Sequence, residues 1–87
     1  MKYDEATKLI KGLSKKYSIC EEKNSYRVTL KDTGFSIIEV SEIAQYAFNR
    51  CIGYGYGYFD KLPYSHKLWM ILAELAMTPI SEREEHK

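Results

Sequence analysis

Tyr26-Arg27-Val28-Thr29-Leu30-Lys31 is the stretch on which the fold turns. Large apolar side chains at 26, 28 and 30 alternate with polar ones at 27, 29 and 31, the period-two pattern of a β-strand with one dry face. A strand of this kind needs neighbours. Residues 17–22 before it and 35–40 after it are rich in β-branched and aromatic residues, and Lys23-Asn24-Ser25 and Asp32-Thr33-Gly34 supply turn residues at the two joints. The middle of the chain therefore reads as a three-stranded antiparallel meander.

Towards the N-terminus the period changes to that of a helix. Between Asp4 and Tyr17, the residues Ala6, Leu9, Ile10, Leu13 and Tyr17 recur on one face, while Lys8, Lys11, Lys15 and Lys16 take the others. Asp4 is the expected N-cap. Towards the C-terminus residues 41–51 fit two descriptions. Ile43, Ala44, Ala47, Phe48 and Cys51 would line a helical face behind a Ser41 cap, whereas Tyr46 and Phe48 would share one face of a strand; the pattern leans to the helix.

A second helix is expected from Pro63, whose missing N–H costs nothing in a first turn, to Met77, where Thr78-Pro79 stops it. Leu68, Ile71, Leu72, Leu75 and Ala76 form its core arc with Trp69 at the edge. Met70, Ala73 and Met77 lie together on the opposite side, where a surface helix is ordinarily charged. That second apolar side is either covered within the domain or is an adaptable Met surface for another chain, a second copy included. Ser81 and Glu84 have capping-box spacing, and residues 81–87 are expected to fray. The whole is a single small α+β domain of 87 residues.

Composition narrows the function. Thirteen Lys and Arg balance twelve Asp and Glu, so no strong field draws the molecule to nucleic acid or an anionic membrane. The longest apolar run, 68–77, is interrupted by Glu74 and is too short to span a bilayer. Acids at Asp4 and Glu5 sit where a signal peptide would be apolar, which points to the cytoplasm. Cys20 and Cys51 lack CxxC spacing and are expected to be free thiols. His66 and His86 have no metal-ligand spacing around them, and no nucleophile elbow is present, so neither a metal, a cofactor nor catalysis is expected.

The segment that departs furthest from folding needs is Gly53-Tyr54-Gly55-Tyr56-Gly57-Tyr58-Phe59. Three glycines relax the backbone while Tyr54, Tyr56, Tyr58 and Phe59 supply contact area. Three uses fit it: rings tucked under the last helix, rings anchoring a protein partner, or rings stacked on nucleobases. The last wants phosphate-binding cations, and only Arg50 and Lys61 flank the loop.

Tyr3-Asp4-Glu5-Ala6 in an N-terminal helix, a meander, Tyr58-Phe59-Asp60-Lys61-Leu62-Pro63 closing a Gly and Tyr stretch, and Leu75-Ala76-Met77-Thr78-Pro79-Ile80-Ser81-Glu82-Arg83-Glu84 together resemble the small early-region proteins of Gram-positive bacteriophages and prophages. The likeness spans most of the chain. It implies a non-enzymatic accessory factor in a bacterial host cell, acting by stoichiometric binding to a host protein, with inhibitors of bacterial defence systems among such factors. Tyr54, Tyr56, Tyr58 and Phe59 are the expected anchors, with Met70 and Met77 supporting them or forming a self-association face. Nucleic-acid or nucleotide binding through the same rings is the alternative.

Overall fold

A computed structural model describes residues 1–22, 24–50 (main chain alone at residue 50) and 61–83. The order is α1 (Tyr3–Leu13), β1 (Tyr17–Glu22), β2 (Ser25–Leu30), β3 (Ser36–Ser41), β4 (Phe48–Arg50), α2 (Ser65–Met77) and α3 (Ile80–Arg83). The strands pair antiparallel in chain order, so the expected α+β meander is present with a fourth strand added. In β2 the alternation behaves as written: Tyr26, Val28 and Leu30 are buried. Arg27 faces its register partner Glu39 across β2 and β3, with Nε 3.2 Å from Oε1.

The two long helices, α1 and α2, lie against one apolar core. Ala6 and Ile10 of α1 meet Leu68, Leu72, Leu75 and Ala76 of α2 above Tyr17, Val28, Ile38 and Val40 of the sheet. α1 packs on β1 and α2, and α2 packs on β3 and β4. Two core tyrosines place their hydroxyls on polar partners, Tyr17 on the Pro63 carbonyl and Tyr26 on Thr7 Oγ1 at 2.6 Å. Burial pushes both phenols up to about 12.

Three sequence expectations are corrected at the edges of α1. Lys2, not Asp4, is the N-cap, and its N–H donates to Glu5 Oε1 at 3.4 Å, while Asp4 sits in the first turn where the helix dipole favours an acid. The helix ends at Leu13 instead of running to Tyr17, because the Ser14 hydroxyl accepts the Lys16 N–H at 3.1 Å and so favours a turn. Leu9 is exposed outside the core face.

The lean towards a helix over 41–51 is also overturned in the described part. Ser41 does act as a cap, its Oγ accepting the N–H groups of Ile43 at 3.2 Å and Ala44 at 3.1 Å, but no helix follows. Instead the chain turns through Tyr46 at φ 68°, and Phe48 pairs with Val40 to start β4. Tertiary bonds decide the matter: the Tyr46 N–H meets the Ala76 carbonyl at 2.7 Å and Gln45 Nε2 meets the Met77 carbonyl at 2.6 Å. These are carbonyls that the end of α2 leaves without helical partners, so the loop gains more by docking there than by coiling on itself.

Candidate functional site: the uncovered face of α2

α2 starts one residue after Tyr64, which holds φ 55° as its N-cap, and not at Pro63 as the sequence suggests. It ends as expected, with the Thr78 N–H and Oγ1 both on the Glu74 carbonyl, at 3.1 and 2.9 Å, before Pro79. The inner arc is the one the periodicity gives, with Leu68, Leu72, Leu75 and Ala76 buried and Ile71 half-buried. The outer side is left open: Met70 is 57% exposed, Met77 55%, and Ala73 between them is half-buried. Spaced seven residues apart, the two methionines mark a ridge roughly 10 Å long on one side of the helix.

Other large side chains are exposed beside Met70 and at the two ends of α2. Next to Met70, Trp69 packs on Phe48 of β4 with ring centroids 4.9 Å apart and remains partly in solvent. At the Met77 end the loop of residues 42–47 is fastened to the helix by the Gln45 and Tyr46 bonds, presenting Ile43 and Tyr46 at 70% and 71% exposure. Tyr64, with the Lys67 ammonium 5.8 Å from its ring centre, is exposed at the other end. A large side chain held at positive φ costs roughly 1–3 kcal/mol, so Tyr46 and Tyr64 are kept outward against a local preference.

What fixes the loop is a buried cation. Arg83 of α3 is 0% exposed, so the expected fraying does not hold for residues 81–83; 84–87 lie outside the described residues. Its Nε donates to the Thr78 carbonyl at 2.8 Å, Nη2 to the Ala76 carbonyl at 3.0 Å, and Nη1 to the Ser41 carbonyl at 2.6 Å and the Tyr3 hydroxyl at 3.3 Å. One guanidinium thus ties the end of α2, the end of β3 where the loop begins, and α1. The Ala76 carbonyl receives both Arg83 and Tyr46, which links the buried clamp directly to the exposed ring. Burial raises the Tyr3 phenol above its ordinary value even though Arg83 beside it favours the anion.

Of the residues singled out in the sequence, Met70 and Met77 lie on this open face, whereas Tyr54, Tyr56, Tyr58 and Phe59 fall outside the described residues. Cys20 is a free thiol, and Cys51 falls outside the described residues. His66 is exposed in the first turn of α2. Among the described residues no three of His, Cys, Asp and Glu gather to hold a metal ion, and no helix is long and apolar enough to cross a membrane. No protein-family model matches the chain, and neither does any curated protein or solved structure.

Proposed function

We propose that the protein works by stoichiometric binding to another protein, without bond-making, through the face formed by Trp69, Met70 and Met77 of α2 and by Ile43 and Tyr46 of the adjoining loop. The observation that carries this reading is the exposure of Met70, Met77 and Tyr46 on a fixed frame. Thioether chains adapt to an irregular partner surface, and a Tyr ring adds contact area with few rotamers to freeze. Tyr54, Tyr56, Tyr58 and Phe59, which lie outside the described residues, are the further anchors that the sequence proposes. The resemblance to phage early-region proteins makes a bacterial host protein the expected partner, a component of a defence system among the candidates.

The test starts with affinity capture from host extract and identification of the captured protein, followed by calorimetric titration of that purified protein. The expected result is one-to-one binding that weakens at least tenfold in Tyr46→Ala and in Met70→Lys with Met77→Lys, and changes little with added salt. Unchanged affinity in both variants contradicts the assignment of the face. Affinity that collapses with salt and transfers to oligonucleotides favours nucleic acid instead.

A further inference from the structure

The outer edge of the sheet carries a second surface, independent of the α2 face and on the far side of the sheet from β4. β1 pairs with β2 in unbroken register from Tyr17↔Leu30 to Glu22↔Ser25. The Lys31 N–H donates to the Lys16 carbonyl at 2.9 Å, which sets the phase of the ladder. Residues 16, 18, 20 and 22 turn their main-chain groups to β2, and residues 17, 19 and 21 turn theirs outward. The Tyr17 N–H is taken by the Ser14 carbonyl at 3.4 Å. That leaves the Tyr17 carbonyl and both groups of Ile19 and Glu21 along the edge, with no partner among the described residues.

Edges that are to stay unpaired are usually blunted by a central charge, a proline or a bulge. β1 has none of these at its centre, which reads Ser18-Ile19-Cys20, and the one irregularity of register lies between β2 and β3 at Val28/Thr29. Its charges stand instead at the two ends, Lys15 and Lys16 before the strand and Glu21 and Glu22 at its close, all exposed, with Lys23 next in the sequence. A parallel copy would set Lys against Lys and Glu against Glu. An antiparallel copy centred on Ile19 sets Lys16 against Glu22, and that arrangement is a two-fold axis.

We infer that β1 is a self-recognition edge, pairing antiparallel with β1 of a second copy about an axis at Ile19, so that one sheet runs through both chains. In this register Ile19 exchanges main-chain bonds with its own copy, and the Glu21 N–H reaches the Tyr17 carbonyl of the second copy, using only the groups left over. Lys16 stands opposite Glu22 of the second copy, and Ser18 stands opposite its Cys20 in a close pair. A net charge of +1 per chain opposes the approach only weakly. The dimer would carry two α2 faces on one rigid sheet.

Sedimentation over a micromolar concentration series tests this with the intact chain. The expected result is a monomer–dimer equilibrium that Lys16→Glu weakens roughly tenfold, because like charges then face each other at both ends, and that Lys16→Glu combined with Glu22→Lys restores. Both positions are exposed, so folding is not at stake. Ser18→Cys is expected to give a disulfide-linked dimer with the native Cys20 on oxidation at alkaline pH, the desolvated Cys20 thiol being raised further by neighbouring Glu22. A monomer throughout, a double exchange as weak as Lys16→Glu alone, or a dimer lost in Met70→Lys but untouched by the charge exchanges overturns the inference. The last outcome would mean that copies meet through α2.

Discussion

Arg83 and Met70 invert the usual placement of their residue types. A guanidinium lies fully inside the molecule while two thioethers, a Tyr and an Ile stand in water. Buried arginine is tolerated only when its donors are met, and here three main-chain carbonyls and a phenol meet them, the carbonyls of Ala76 and Thr78 being at the end of α2 where the helix dipole favours a cation. An exposed apolar ridge has no such internal compensation. One region is thus spent on holding shape, and the other is the face proposed for contact. Through the shared Ala76 carbonyl, the first positions part of the second.

The contrast breaks hardest at Arg83. Arg83→Ala removes the clamp and leaves several buried carbonyls unmet, and is expected to cost roughly 3–5 kcal/mol, lowering the melting temperature by more than about 10 °C in calorimetry. Arg83→Lys keeps the charge without the fork that reaches three elements, and is expected to recover only part of that loss.

Alkaline pH attacks the core from another side. Tyr17 and Tyr26 ionise near 10 in the unfolded chain and at about 12 in the folded one, so the folded state holds their protons more tightly. Their contribution is whole below about pH 10 and is lost as pH climbs from 10 to 12. Urea midpoints should therefore be flat through neutral pH and fall across that window; midpoints that hold steady to pH 12 contradict the burial of these phenols.

In Tyr46→Gly, relief of the positive-φ strain and loss of a contact group pull in opposite directions. Stability is expected to rise by about 1 kcal/mol while affinity for the captured partner falls. Smallest of all, Met70→Lys with Met77→Lys should shift stability by no more than about 0.5 kcal/mol in urea denaturation, since both side chains are more than half exposed.

Much of the scaffold was legible because its signals are periodic. Alternation at Tyr26, Val28 and Leu30 gave the central strand, and the spacing of Leu68, Leu72 and Leu75 gave the inner face of α2. Met70 and Met77 could be placed on the opposite side by the same arithmetic. The failures lie where a local signal met a distant bond. Ser41 capped as its chemistry suggests, yet carbonyls from the end of α2 drew the loop away from a helix. Ser14 cut α1 short by a side-chain bond that periodicity does not register.

Neither the clamp nor the strained rings had a sequence signal of comparable strength. Nothing in Ser81-Glu82-Arg83 distinguishes an arginine that will be buried from one that will be solvated, since its acceptors come from residues 41, 76 and 78 only after folding. Positive φ at Tyr46 and Tyr64 runs against the preference of the residue type itself. Such departures are expected at sites kept for something other than stability.

Peroxide oxidation of Met70 and Met77, followed by mass spectrometry in the native protein and in urea, tests the openness of the α2 face most directly. Both methionines are expected to oxidise in the native protein at nearly the rate seen when unfolded. Strong protection of either one in the isolated native protein would show the ridge already covered and would contradict its assignment as a surface held open for a partner.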